Sequence, residues 1–573
     1  MKTVLAYLKP HLGQVTFGIT AKFIGTLADL LLPWLLAYTI DSVIPLENKN
    51  AIYFMGLIMG LSVIFALVCN IVANHSASRV SRDCIQAMRH DLFVRISHLS
   101  NNQIDNLSVS SLETRLTTDT YNLHRMIGMM QRLGIRAPIM ILGGIIVTLS
   151  LDYVLALTLI AIMPFIFGVA FYVSRKGVPM YNTLQYKIDH MTRIVRENVT
   201  GIRVIKALSK TSYEKERFAE SNHEVADYET RAGSIMAISN PLMNLFLNVG
   251  LTTVIIVGAY RVNSGMMQAG KILAFLTYFT IILHALLAVN RMFIMYSKAS
   301  ASANRVAEVL HIPQDLLVAD YPKKKSKYHI EFDHVSFSYL KEKDNLCNLT
   351  FTLKKGESLG ILGATGSGKS TIIRLLMRLY DVDEGSIYIN GTDVRSLPSD
   401  QLHTKFGVVF QNDVLFADTI EGNIKFGREI SDKRMQQATE DAQAYEFIKN
   451  LDKKFQHKLT MRATNISGGQ KQRVLLSRAL AKKPEILILD DSSSALDYKT
   501  DANLRNALKT NYKDTTTIII AQRISSVMSA DHILLMDEGN VLAYGTHEEL
   551  LENSTLYQQI SENQLGGITH VRK

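Results

Sequence analysis

Ser358-Leu-Gly-Ile-Leu362 runs directly into Gly363-Ala-Thr-Gly-Ser-Gly368-Lys369-Ser370-Thr371, and that stretch opens onto the apolar run Ile372 to Tyr380. A short apolar strand, a glycine-rich turn and an apolar helix in immediate succession form a phosphate-cradling loop. The glycines let backbone N–H groups close on phosphate oxygens, and the helix N-terminus adds positive potential. Lys369 reaches the β and γ phosphates, and the Ser370 hydroxyl is placed to hold Mg²⁺. The candidate nucleotide-binding residues are therefore Gly363, Thr365, Gly366, Ser367, Gly368, Lys369, Ser370 and Thr371.

Downstream, Ile486-Leu-Ile-Leu-Asp490 reads as a buried strand ending in a carboxylate. A carboxylate at the C-terminal end of a parallel strand suits the metal's water shell, so Asp490 is the expected partner of Ser370. Further β-branched runs, Tyr328 to Phe332 and Thr516 to Ala521, alternate with helical segments. The chain from 328 to 573 thus reads as an α/β nucleotide-binding domain.

The N-terminal half differs in kind. Six stretches, about 14–40, 52–73, 134–151, 153–173, 241–260 and 272–293, are apolar and long enough to cross a hydrocarbon core, which takes about 20 helical residues. An all-α membrane domain over 1–310, a polar linker over 311–327 containing Pro322-Lys-Lys-Lys325, and the α/β domain complete the expected organisation. The net charge of +10 follows the same division. Seven arginines lie from Arg79 to Arg132 and eleven Lys/Arg from Arg175 to Arg231, both in long connections. The excess of positive charge on cytoplasmic loops places these connections and both termini in the cytoplasm, with the spans in the cell membrane, and makes nucleic acid an unneeded partner. No cleavable secretory signal is expected, because the first apolar run has neither a short apolar core nor a small-residue cleavage site. Cys69, Cys84 and Cys347 have no metal-ligand spacing.

Asn465-Ile466-Ser467-Gly468-Gly469-Gln470-Lys471-Gln472-Arg473, shortly before Asp490, resembles the signature of the ATP-binding cassette family. The other motifs follow in that family's order: Val335-Ser-Phe337-Ser-Tyr339, Val408-Val-Phe-Gln411, and Ser494-Ala-Leu-Asp497. Six spans before one cassette, with Glu197-Asn-Val-Thr-Gly201 in a long connection, resemble a half-transporter of the type IV exporter fold. The resemblance implies ATP and Mg²⁺ as cofactors, Tyr339 stacked on adenine, and Gln411 joining Ser370 and Asp490 around the metal, partly through water. It also implies that Ser467, Gly468, Gly469 and Gln470 close on a nucleotide held by a second cassette, with Asp497 in the loop between the two sites.

Two departures from the family pattern stand in one half-site. The glutamate that normally follows the metal-binding aspartate is Asp491, and the switch histidine is Gln522. Withdrawing a carboxylate by one methylene moves it roughly 1 to 1.5 Å, enough to cost on the order of 100-fold in rate. Glutamine donates a hydrogen bond but carries no proton or charge to a phosphate. The signature, by contrast, changes only its leading residue, to Ile466. Such a chain reads as the degenerate-site subunit of a heterodimeric bacterial multidrug exporter, with hydrolysis mainly at the partner's site. A further departure is Met461, where the family usually has a glutamate. The alternatives are an ATP-gated channel or regulatory subunit.

For the substrate, Asp29 lies mid-span, and an intramembrane carboxylate is either functional or hydrogen-bonded between helices. Asn240, Asn244 and Asn248 recur on one helix face and either line a cavity or join helices. These residues suggest a small amphiphilic, cationic drug-like substrate, with lipid or peptide as alternatives. The resemblance also implies two short coupling helices, expected near Thr117 to Asn122 and Thr211 to Glu216.

Overall fold

Hydrocarbon offers no hydrogen-bond partners, so an apolar chain crossing it must satisfy its own backbone, which a helix does. The computed structural model describes residues 1–492 and 495–565, in two units: Met1–His98 with Val109–Ile312, and Leu99–Ser108 with the chain from Pro313 onward. The helices from the N-terminus are α1 (Lys2–Leu8), α2 (Leu12–Tyr38), α3 (Lys49–Ser97), α4 (Asn101–Leu107), α5 (Val109–Thr114), α6 (Thr120–Leu151), α7 (Tyr153–Thr200), α8 (Ile202–Ala207), α9 (Thr211–Ala237), α10 (Ser239–Asn263) and α11 (Ala269–Leu310). All but α4 build the first unit, and the described residues include six helical segments long and apolar enough to cross a membrane. At 1.5 Å per residue α3 and α7 exceed about 70 Å, more than twice a hydrocarbon core of about 30 Å, so each continues well beyond the span.

Polar groups fix the ends of the spans. Asp152 caps α7, accepting from the N–H groups of Val154 (2.9 Å) and Leu155 (3.1 Å), and pairs with Arg261 at the end of α10 (3.0 Å). Asp41 accepts from the N–H of Gly270 at 2.6 Å, tying the continuation of α2 to the start of α11. A Cβ at Gly270 would lie 2.7 Å from the carbonyl of Ala37, so only glycine permits that approach. Between these ends, Tyr278 donates to the carbonyl of Leu30 at 2.5 Å within an apolar cluster that includes Ala137 and Met140.

The second unit carries two sheets. The smaller, β2-β1-β4-β5, is antiparallel: β1 (Ile330–Phe337), β2 (Leu346–Leu353), β4 (Glu384–Ile389) and β5 (Thr392–Asp393). The larger, β10-β9-β3-β8-β7-β6, comprises β3 (Ser358–Gly363), β6 (Phe406–Val409), β7 (Ile486–Asp490), β8 (Thr516–Ala521), β9 (His532–Asp537) and β10 (Asn540–Gly545). All its pairs are parallel except β9–β10. Every residue of β7 is buried, as a central strand covered on both faces requires. Helix α12 (Lys369–Leu376) leaves β3 and buries Ile372 and Ile373 against this sheet.

Two expected coupling positions move. In the first connection, Leu99–Ser108 groups with the second unit, not Thr117 to Asn122. Ser100 and Gln103 form a capping box that starts α4, and Ser108 at φ +62 ends it, so a separate short helix forms there. Thr117 to Asn122 instead runs into α6 and faces α11. In the second connection the turn carries α8, while Thr211 to Glu216 is the first turn of the long α9. Ile202, Val204 and Leu208 are exposed around that turn.

The stretch beside Thr117 is held by a buried carboxylate. Asp119 is fully buried and accepts from Ser302 (2.8 Å) and from Nε of Arg305 (2.8 Å), while Asn122 donates to Ser302 (3.2 Å). Removing the guanidinium strands a charge out of water. Arg305→Ala is therefore expected to cost about 2–4 kcal/mol, the exposed half of the arginine discounting the fully buried figure. The check is thermal unfolding of the detergent-solubilised chain, in which Asp119→Asn combined with Arg305→Gln should lose less than Arg305→Ala alone.

Candidate nucleotide site

The larger sheet brings three strand ends side by side, because β8 lies between β3 and β7. The loop after β3 turns through Gly366 (φ +87) and Gly368 (φ +96), and a Cβ on Gly368 would stand 2.8 Å from the carbonyl of Asn345. Both left-handed glycines keep the backbone close-wound over the helix start. Lys369 is buried, its Nζ donating to the carbonyls of Gly363 (2.8 Å) and Ala364 (2.6 Å). Burial lowers its pKa, and the carboxylates of Asp490 and Asp491 work against that shift. Ala364, Thr365 and Gly366 are exposed at the loop's crest, while the Ser367 hydroxyl is buried with no hydrogen-bond partner among the described residues.

Ser370 at the start of α12 donates to Asp490 Oδ2 at 3.0 Å. Burial raises the Asp490 pKa, the neighbouring Asp491 adds to the rise, and the Ser370 hydrogen bond and the Lys369 charge oppose it. A hydroxyl and a carboxylate oxygen this close are hard oxygen donors that fit Mg²⁺. That ion takes few protein oxygens and completes its shell with phosphate and water. Gln411 is exposed just beyond β6, the neighbour of β7.

Asp491 holds a left-handed backbone (φ +49), and its N–H donates to the carbonyl of Ile520 at 3.0 Å. The main chain is thus pinned to β8, and the reach of the carboxylate is set by side-chain length. Gln522 follows β8, exposed, with its carbonyl accepting from Gln564 at 3.0 Å. Both departures from the family pattern therefore stand at adjacent strand ends beside Asp490.

Tyr339 touches the same helix start from the smaller sheet. Its hydroxyl donates to Thr371 (3.3 Å) and accepts from Arg374 (3.1 Å), and its ring meets Tyr380 edge-on with centroids 5.1 Å apart. Tyr380 in turn donates to Asp105 of α4 at 2.6 Å, which with burial drives the phenol pKa up. The reading of the sequence missed Arg374, Tyr380 and Asp105. The local signal was Arg378 with Asp381, an i,i+3 ion pair at 2.8 Å that marks an ordered turn around Tyr380.

The signature residues start a different helix, Gly468–Leu480. Ser467 caps it through a reciprocal pair with Gln470 (3.3 and 3.0 Å), and Ser467 and Gly468 are exposed. Asp497 caps the helix Tyr498–Asn511, and its two hydrogen bonds from Thr500 (2.9 and 2.7 Å) pull its pKa down. Ser494 lies outside the described residues. Met461 is 75% exposed beside Arg462 and Ala463, both at positive φ.

In the first unit, Asp29 is paired: Arg136 of α6 donates to it at 3.2 Å and Asn70 of α3 at 3.4 Å. Lys22, two turns earlier on the same face of α2, is buried and donates to Asn70 (2.8 Å) and Asn74 (3.3 Å). Asn244 and Asn248 are exposed on α10, which packs on α7 and α11, so they do not join the Asp29 cluster on α2, α3 and α6.

Comparison with known proteins gives one family. The ABC transporter transmembrane region matches residues 15–286, and the ABC transporter domain matches 346–494. The chain is 36% identical over 569 residues to the uncharacterized ABC transporter ATP-binding protein YfiB of Bacillus subtilis, covering 99% of each. It is 30% identical over 566 residues to the uncharacterized ABC transporter ATP-binding protein Rv1273c of Mycobacterium tuberculosis, covering 97% of each. Its fold is that of a bacterial Atm1-family ABC exporter solved with ATP bound, with a TM-score of 0.78, 24% identity, and coverage of 98% of this chain and 99% of that one.

The left-handed turn at Gly368 generates a direct test. Gly368→Ala forces a side chain into a conformation costing about 1–2 kcal/mol, before the contact with Asn345 is counted. Binding of a fluorescent ATP analogue to the full chain should weaken about tenfold or more, whereas Thr365→Ala, at the exposed crest, should change it less than threefold.

Proposed function

The chain belongs to the ABC transporter family, and from that premise we propose that it is one half of an ATP-driven exporter of amphiphilic, drug-like compounds. It resides in the cell membrane with both termini and the cassette in the cytoplasm. Its second half is a different chain. The observation carrying this reading is the contrast between Asp491 with Gln522 and the signature Ser467 to Gln470.

At this chain's own phosphate loop, the N–H groups around Gly366 and Gly368 and the Lys369 ammonium hold the phosphates, and Tyr339 offers a ring face to the base. Bound Mg²⁺, held through Ser370 and Asp490 with Gln411 in reach, would supply charge neutralisation for the phosphate oxygens. Hydrolysis needs a base placed to take a proton from the attacking water. Asp491 reaches roughly 1 to 1.5 Å less than a glutamate from a backbone anchored to Ile520, so water is poorly aligned. Gln522 can hydrogen-bond the γ-phosphate but delivers no charge to it. This site therefore binds ATP and turns it over slowly.

The signature serves the other chain's nucleotide. Ser467 and Gly468 at an exposed helix start present a hydroxyl, backbone N–H groups and a positive helix end, the equipment for a phosphate held by another cassette. Closure of two cassettes on ATP is the driving event. The apolar turn around α8, with Ile202, Val204 and Leu208 exposed, is the element through which the partner's cassette receives or imparts movement.

Two measurements on the purified two-chain complex test this. Changing the partner's catalytic Glu to Gln should abolish ATP turnover, while Asp491→Glu here should alter it only modestly. ATPase that survives the partner change contradicts the division of labour. Separately, a cysteine at Val204 should cross-link to the partner's cassette. Cross-linking only within one chain would contradict the crossed arrangement.

A further inference from the structure

Lys22, Arg132 and Arg136 lie within Coulombic reach of one another, with Asp29 as the single carboxylate among them. Arg136 stands about 3 Å inside the start of the apolar stretch 134–151 at 1.5 Å per residue, at the end of the span that continues into the first long connection. Lys22 and Arg136 within the apolar stretches, with Arg132 just before the span of α6, face one anion and leave positive charge unbalanced at this end of the span. Among the described residues, no other carboxylate joins the cluster.

Several donors there are uncommitted. Arg136 gives one N–H to Asp29 at 3.2 Å and remains 44% exposed, leaving most of its five donors available. Arg132 donates from Nε to the Gly128 carbonyl at 2.9 Å, its one hydrogen bond among the described residues. Beside it, both polar atoms of the Gln131 amide are buried without a hydrogen-bond partner among the described residues. The positive groups thus converge from α2 and α6, with Asn70 of α3 joining Lys22 to Asp29.

We propose that this cluster is a binding site for the acidic end of an amphiphile, a carboxylate, sulfate or phosphate, with Arg136 as its principal contact. A guanidinium fork matches such oxygens bidentately, which a lone ammonium does not. Asp29 is then no cation receptor: its charge is taken up by Arg136, and it competes with the incoming anion. The inference deepens the exporter reading by assigning a substrate class and rests on that reading for its purpose, while the binding geometry stands apart from turnover.

The test is equilibrium binding to the full chain with its partner in nanodiscs of zwitterionic lipid, read by fluorescence. The probe is 11-(dansylamino)undecanoic acid, and the counter-probe is the same chain ending in trimethylammonium. The acid should bind and the cation should not. Arg136→Gln should weaken the acid about tenfold or more, the scale of a lost charge-assisted hydrogen bond. Asp29→Asn should tighten it, an outcome that misfolding cannot mimic. Lys298→Gln, an exposed change on α11 away from the cluster, should have no effect. Repeating the titration in discs with an anionic phospholipid separates sources: probe retained means a free acidic amphiphile is the ligand, probe displaced means a lipid headgroup is, and both sustain the anion site. Preferential binding of the cation, lost in Asp29→Asn, would overturn the proposal, as would acid binding indifferent to Arg136. Anion binding without ATP-driven transport would leave the site standing and remove the exporter reading alone.

Discussion

Everything in the cassette depends on where parallel strands end. Because β8 pairs with both β3 and β7, the phosphate loop, Asp490, Asp491 and Gln522 emerge at one edge of one sheet. The Ser370–Asp490 hydrogen bond of 3.0 Å is the measure of that convergence across 120 positions of chain. Each strand end is fixed by ladder hydrogen bonds, so the side chains cannot relax toward the phosphates when one is shortened. Under the proposed division of labour, the shorter side chain of Asp491 is therefore not made up by its backbone, which is held at Ile520. The same rigidity makes the glycines at 366 and 368 irreplaceable in kind: the backbone must pass in a left-handed turn.

Most of this was legible in the sequence because the evidence was local. The phosphate loop, the apolar strand before Asp490 and the signature at Ser467 to Gln470 each occupy a few consecutive residues with their own chemistry. The six spans were legible for a similar reason, since length and apolar content decide a membrane helix. What stayed hidden were pairings between distant residues. Nothing near Asp29 announces Arg136, which lies 107 positions away. A carboxylate read alone in a span suggests a cation receptor; seen with Arg136 and Lys22, it is the minority charge of a basic cluster. The short helix α4 went unread because helical periodicity runs through the whole connection, although the Ser100 and Gln103 capping box marks its start.

Within the second unit, Tyr339 is linked through Tyr380 to α4. Tyr339 rests edge-on against Tyr380, and Tyr380 holds Asp105 at 2.6 Å. Aromatic edges and a single charged hydrogen bond transmit displacement over short distances without chemistry of their own. The nucleotide chemistry and the proposed membrane site draw on one principle, anions held by fixed cations and N–H groups in places where water is scarce. They differ in what balances the charge: Mg²⁺ and phosphates in the cassette, an acidic amphiphile in the span.

The central claim is that this chain retains ATP while its signature completes the partner's hydrolysis, and nucleotide trapping addresses it most directly. The two-chain complex is turned over with photoreactive azido-ATP and vanadate, cross-linked, and the nucleotide on each chain identified. The account predicts intact triphosphate attached to this chain near Tyr339 and vanadate-trapped diphosphate attached to the partner. Equal trapping of diphosphate on both chains would contradict it.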